Sequence, residues 1–524
     1  MKTFFFTGFI GCFWAGILFG QTPTWADQIA CISYTRCTPC HHPGGLGPYS
    51  MVTYAEAYPA RISIMESMIS RFMPPWQTSP SYGRVAHETY VTQEELAMIV
   101  AWVSAGAPEG DASQTPSPPD YTSNTPTINA SKIVQIPTYQ NPELLDNYRC
   151  FVLPLNLDRD TLLTQLEVIP GNKRMVHHVM VYWDTSGVPA QLDAQDPLPG
   201  YYSFGGTGSL ESVPIYSWAP DWPVYSAPAG TGVKLPQNAV LVVQMHYTYG
   251  VQNQIDSTKL VLKYGSGNLR EIQTTALLNH YTNINEPLLI PANTIKSFNC
   301  ELQLNEGQSL WAISPHMHYI GKDIKVYAIK PGADTVPLIY IPDWNYAWQG
   351  IYPFRRPVYL PIGTVLRAEA TYNNTLSNPR NPNYPLQTVG VGNLPTDEML
   401  MVYFSLISPG LVEDSLLWVD SSSVVNTYGG CDFSLGTENN ETVSEILVYP
   451  NPADADFNVI WIHSSPSIRE SWVDVINSSG NVVRRLTLDL DQSRTEFKLN
   501  AADFAGGLYI FRDSLGRTKK ILIL

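Results

Sequence analysis

Beyond about residue 130 the hydrophobic positions come in short runs of Val, Ile, Leu and Tyr, cut every few residues by Pro, Gly or Asn. Runs of that length and composition predict strands, and many of them in series predict antiparallel β-sandwiches. Helical spacing is rare outside the first hundred residues. Its best instance is Leu96, Ile99, Val100 and Val103, preceded by Thr92-Gln93-Glu94-Glu95, which has the form of a capping box, and followed by Gly106 as a stop. Three of the strand-like segments carry histidine: Val176 to Tyr182, Val242 to Tyr247, and Ser314 to Tyr319, the last followed by the strand-like Asp323 to Tyr327.

Length and charge narrow the picture. A chain of 524 residues with 44% apolar content predicts three or four domains with real cores. A net charge of −15 excludes a phosphate-backbone reader, which needs a basic patch. Residues 1–26 have the pattern of a secretory signal: Lys2, an apolar run from Phe4 to Phe19, and possible cleavage after Ala26 or Gly20. No later run has the length and apolarity to span a bilayer. Residues 113–130 are rich in Pro, Ser and Thr. Stretched as polyproline II, Ser113 to Thr127 would reach about 45 Å, so a loosely tethered N-terminal domain is expected.

The candidate chemistry sits on histidine, methionine and cysteine. On an extended segment His316 and His318 point to one side, roughly 6.5 Å apart, while Met317 points away. Imidazole suits copper and zinc, and thioether sulfur selects Cu(I), so a methionine near this pair is the further ligand to look for, and Met399 is the best candidate. His177 and His178 are adjacent and should face opposite ways on a regular strand. Sharing one metal therefore requires a strand end or a bulge at that point. His246 alone would be an ordinary core or surface histidine, as would His280 and His463. Cys37-Thr38-Pro39-Cys40-His41 has the C-x-x-C-H spacing by which two thioethers hold haem and the histidine reaches iron.

Taken in order, His177-His178, the Gln244 to Tyr247 segment, His316-Met317-His318 ahead of Gly321-Lys322, and Asp397-Glu398-Met399 resemble the motifs of the type II copper monooxygenases. These are the peptidylglycine α-hydroxylating and dopamine β-hydroxylating enzymes, and the resemblance covers about 131–436. It implies two coppers on tandem β-sandwiches, 131–285 and 286–436. One copper would be an electron-transfer site at His177, His178 and His246, and the other an oxygen-reactive site at His316, His318 and Met399. It also implies that Gln244 stands beside the first site and that Tyr403 lines a substrate pocket. Where amidating members place a carboxylate-binding arginine this chain has Ser314, and where they have an asparagine after the methionine it has Met401, so the reaction type carries over better than the substrate. Members use several disulfides. Here a Cys300–Cys431 pair would staple the second sandwich and leave Cys150 with no partner but Cys31.

Residues 27–112 resemble small cytochrome c domains, which implies haem c on Cys37, Cys40 and His41 with Met73 as sixth ligand. Met65 and Met68 compete from the preceding helix, and His42 lies too close to His41 to reach the opposite side of a haem. Residues 437–524, with Tyr449-Pro450-Asn451-Pro452, Ser479-Gly480-Asn481 and Lys519-Lys520, resemble the C-terminal sorting domain of type IX secretion. That implies export by this machinery, removal of the domain, and a secreted or surface protein. The whole reads as mainly β, with a small α-helical domain in front and a small β-sandwich behind. The expected activity is hydroxylation of a C–H bond in a small organic substrate by O2, with electrons from an external donor through the haem. The alternatives are a haem and copper protein that only relays or stores, and an adhesive surface protein, for which the ligand set has no use.

Overall fold

The computed structural model describes residues 22–417 and 419, apart from 81, 84, 124, 221, 393 and 395. Of the C-terminal stretch it describes 445–449, 456–462, 472–477, 481–487, 494–513 and 518–523. Most of the signal segment, Cys431, His463, the 437–444 connector and the Pro450 to Pro452 turn lie outside the described residues. The chain divides into two compact units, 1–432 and 433–524.

The N-terminal part of the first unit is helical: α1 (Ala30–Arg36), α2 (Tyr54–Ala57), α3 (Arg61–Ile69) and α4 (Gln93–Ser104). Thr92 and Glu95 form the capping box that starts α4, and Gly106, at φ +88°, lies just beyond its end. Glu95 has a second task, because Arg36 Nε donates to its carboxylate at 3.0 and 3.3 Å with the two side chains 1% and 5% exposed. Removing one partner of such a pair costs about 3–5 kcal/mol, since the other charge stays buried. Glu95→Ala should therefore lower the unfolding free energy of this part, read from urea titration, by that amount. Replacing exposed Glu94 on the same helix should change stability by no more than about 0.5 kcal/mol.

From Lys132 onward the unit is built of sheets. A nine-stranded sheet runs in the order Lys132–Gln135, Lys259–Tyr264, Thr161–Ile169, Thr231–Leu235, Arg270–Asn279, Met401–Ser408, Gln308–His316, Tyr352–Leu360, with Tyr225–Ser226 added to Thr161–Ile169. Its first half faces a five-stranded sheet: Tyr201–Tyr202, Asn147–Pro154, Val240–Tyr247, Val176–Asp184, Val213–Trp218. Its second half faces a four-stranded sheet: Thr294–Gln303, Val365–Asn374, Gly321–Ile329, Thr335–Ile341. Two cores result, one around Phe151, Val181 and Met245, the other around Phe298, Val326 and Phe404. The shared sheet crosses residue 285: Arg270–Asn279 pairs with Met401–Ser408, so the two sandwiches are joined by backbone hydrogen bonds. At that seam Arg270–Asn279 runs parallel to Thr231–Leu235, a departure from the all-antiparallel expectation.

The helical part is not loosely tethered. The segment around Ser79, Val85 and Ala86 lies on the second sandwich: Ser79 N donates to Tyr340 O and Ala86 N to Pro353 O, both at 2.7 Å, and Val85 bridges to Phe354 and enters the second core. The Pro-rich segment is pinned as well. Tyr121 stacks on His42 at 4.2 Å, Lys173 donates to Tyr121 O at 2.7 Å, and Glu167 accepts from Thr127 N at 2.9 Å. Its composition disfavours regular structure but leaves carbonyls and rings that fixed neighbours can hold. The expected disulfides are also absent from this arrangement. Cys150 and Cys300 are free, buried thiols, so neither the Cys150–Cys31 nor the Cys300–Cys431 pairing holds. Each fills a core position and its sulfur donates to a carbonyl, of Gly206 and Asn279 respectively.

Within 433–524, Glu445–Tyr449, Asp456–Ile462 and Arg494–Asn500 form one sheet, and Val482–Thr487, Trp472–Ile476, Gly507–Asp513 and Thr518–Ile523 form another. Phe457, Val459, Val475, Phe511 and Ile521 fill the space between them, which makes a small sandwich. No described helix is long and apolar enough to cross a membrane.

Candidate functional site

The His-His pair solves its geometric problem with a bulge. Along Val240–Tyr247 and Val176–Asp184 the register runs His246 to His178 and then Tyr247 to Val176, skipping His177. Both histidines are thus half-buried on the side away from the core, while Val176 and Val179 are buried within it. His178 Nδ1 lies 3.3 Å from His177 Nδ1 and 3.2 Å from His246 Nδ1. Three imidazoles bonded to one tetrahedral ion at about 2.0 Å would hold their nitrogens about 3.3 Å apart. Among the described residues this is the one group of three or more His, Cys, Asp or Glu side chains whose ligand atoms converge, all within 4.8 Å. Burial pushes His177 down to about 3 and lowers His178 well below its ordinary value, so both are neutral bases at pH 7. The Asp146 carboxylate accepts from His246 Nε2 at 3.2 Å, which leaves Nδ1 of that ring with its lone pair toward the other two. Tyr148 stacks on His246 at 4.3 Å.

The second set is arranged differently. Gln308–His316 ends at His316, Met317 is fully buried in the second core, and the rings of His316 and His318 lie 5.2 Å apart at 88°. His316 Nδ1 donates to Gln349 Oε1, whose own amide is fixed by donation to Tyr346 O at 3.0 Å. His318 Nδ1 donates to Asp397 O at 3.1 Å. Both tautomers are thereby set with Nε2 as the free ligand atom. Burial brings His316 down to about 3. Met399 is half-buried, and Glu398 ties its segment to the histidines: one carboxylate oxygen accepts from His318 N at 2.8 Å and Met399 N at 3.2 Å, the other from Ile320 N at 2.9 Å. His280, left aside as an ordinary histidine, is 6% exposed beside this set, with Nδ1 held at Leu400 and no partner for Nε2 among the described residues. Donors that fit copper or zinc are present in the first set, and two set imidazoles with a thioether nearby in the second.

The other expected site residues have clear positions. The side-chain amide of Gln244 donates to Ser203 O and Gly206 O at 2.9 and 2.7 Å, so it holds the loop that carries Phe204. Tyr403 pairs across the sheet with Ser314 and points its hydroxyl at Met401 sulfur, 3.7 Å away. Ser314 Oγ donates to Gly350 O at 2.9 Å.

Cys37, Cys40 and His41 line a largely apolar, open cleft, together with Met51, Met68 and Met73. Its donors fit a haem. His41 Nδ1 donates to Tyr49 O at 3.1 Å, which leaves Nε2 for a metal, and Gly47 permits the close packing of its ring, since a Cβ there would come within 2.6 Å of Nδ1. His42 faces elsewhere, against Tyr121, and Met65 does not line the cavity, whereas Met68 does.

Sequence reasoning missed Asp146, Tyr148, Tyr346, Trp348 and Gln349. The last three lie on one short turn, and no local pattern marks them. Tyr346 lies 5.7 Å from His318 and 5.2 Å from Phe204, ring to ring, and Phe204 lies 4.5 Å from Tyr148. Aromatic rings thus run from one histidine set to the other.

This is a mainly β protein whose last domain is an export signal in folded form. Residues 447–523 match the family of secretion system C-terminal sorting domains, and the chain is accordingly a type IX cargo, secreted or held at the cell surface. No curated protein matches it. Among solved structures it is similar, at 10% identity and a TM-score of 0.14, to a β-glucuronidase from Ruminococcus gnavus, covering 49% of this chain and 47% of that one. A biofilm associated protein BSP domain matches at 10% identity and a TM-score of 0.14, covering 77% and 84%. Dimeric latent PorU from Porphyromonas gingivalis matches at 10% identity and a TM-score of 0.15, covering 72% and 33%. The chain spans about half the length of the glucuronidase it matches, and scores at this level carry no argument about fold or activity.

Proposed function

We propose that the chain is an exported copper monooxygenase that hydroxylates a C–H bond of a small organic substrate. The observation that supports this most is the convergence of three imidazoles at His177, His178 and His246, made possible by the bulge at His177. When bound, copper supplies one-electron redox chemistry, and two coppers hold the two electrons that insertion of one O2 oxygen, with loss of the other as water, draws from outside the substrate. The residues do the rest. Asp146 fixes the His246 ring, and Gln349 and the Asp397 carbonyl fix His316 and His318 with Nε2 left free. Met399 brings the soft donor that favours Cu(I) on a segment anchored by Glu398. In the helical part, Cys37 and Cys40 would hold haem c, and His41 Nε2 and Met73 its iron.

The reading does not extend to peptide amidation: where amidating members place a cation this chain has Ser314, whose hydroxyl donates to Gly350 O. Oxygen uptake by the reduced, copper-loaded protein is the test. Uptake should rise when small exported organic compounds are added, with one O2 consumed per hydroxylated product. Uptake unchanged by every compound would leave a copper-holding redox protein.

A further inference from the structure

Trp348 adjoins both the haem cavity and the three-histidine set: it is among the residues that line the cavity with Cys37, Cys40 and His41. Its ring lies 4.6 Å from that of His177, at 48°. The turn that carries it is gripped from the helical part: Gln77 Nε2 donates to Trp348 O, and Gln77 Oε1 accepts from Asn345 N at 2.8 Å. Gln77 lies in the same docked segment that carries Ser79, Val85 and Ala86, so cavity, tryptophan and histidine are held as one body.

We propose that Trp348 is the electron relay between the haem cavity and the His177, His178 and His246 site. This rests on the reading that the first takes haem c and the second copper. Electrons tunnel best where atoms are in continuous contact, and Trp348 both borders the cavity and packs its ring against the His177 imidazole at 4.6 Å. With haem c held at Cys37, Cys40 and His41 and copper at His177, His178 and His246, Trp348 would pass one electron from ferrous haem to cupric copper, leaving ferric haem and cuprous copper; no bond would form or break and no proton need move. An external one-electron donor refills the haem once for each electron passed. The docked arrangement replaces a swinging tether: the haem side does not travel to the copper, because the tryptophan already joins them.

The test is anaerobic stopped-flow mixing of full-length protein with the haem reduced and the copper oxidised, after haem and copper contents have been measured. Haem reoxidation in the native protein should require copper. With contents unchanged, W348L should slow it measurably, because the indole between cavity and His177 is lost, and W348F should lie between W348L and the native protein. Gln77→Ala, which keeps the indole but releases its turn, should also slow it and serves if W348L does not fold. Equal rates in the native protein, W348F and Gln77→Ala would overturn the relay while leaving both sites as assigned. Reoxidation in the native protein that ignores copper occupancy would overturn it too. Preparations that take up no haem or no copper would instead remove the site assignments on which it stands, a result visible before any mixing.

Discussion

Met399→Ala should abolish substrate-dependent oxygen uptake while one copper remains bound and reducible at His177, His178 and His246. The two sets are built from different strands. The first lies on the five-stranded sheet, and the second spans the end of Gln308–His316 and the approach to Met401–Ser408. The substitution also leaves the local fold its anchors, because Glu398 binds the backbone N–H of residue 399 and Tyr372 donates to its carbonyl at 2.7 Å. Only the thioether is lost. Changes in groups behind a metal ligand already cost about 10–100-fold in affinity or activity, so loss of a ligand itself should exceed roughly a hundredfold. Electron paramagnetic resonance of the remaining Cu(II) should be unchanged, and full activity in the variant would remove Met399 from the site.

The parts of this molecule that sequence made visible are those whose cause is local. The alternation rule required a bulge or strand end if His177 and His178 were to share a metal, and the register skips His177. The period-two argument put Met317 opposite His316 and His318, and it is fully buried. Thr92 and Glu95 announced α4 through a hydrogen-bond pattern only three residues long. What stayed hidden depends on pairings across hundreds of residues. Gln77 meets Trp348 across 271 positions, and Asp146 meets His246 across 100. The shared sheet is of the same kind: nothing within Arg270–Asn279 says that its neighbour will be Met401–Ser408. The Pro-rich stretch misled for the opposite reason. Its composition predicts an extended chain, but extension does not prevent Tyr121 from stacking on His42 or Thr127 from binding Glu167.

Joint replacement of Cys37 and Cys40 by alanine should eliminate covalent haem. Two thioether bonds need two thiols at this spacing, and both line the cavity beside His41. Neither is joined to the other in a disulfide, and burial pushes Cys37 up to about 12, so it stands as a protonated thiol rather than a thiolate. The cavity itself survives the change, since Met51, Met68 and the His41 to Tyr49 contact do not depend on the sulfurs. The double variant should therefore still take up haem, held by His41 alone or with Met73, but acidified organic solvent should extract all of it. In a host that matures c-type cytochromes, the native protein should retain its haem through the same extraction and give a pyridine haemochrome with both vinyls saturated. A native protein whose haem is wholly extractable would show that the C-x-x-C-H spacing at 37–41 is not an attachment site. The same outcome would leave the apolar cavity beside Trp348 for some other ligand.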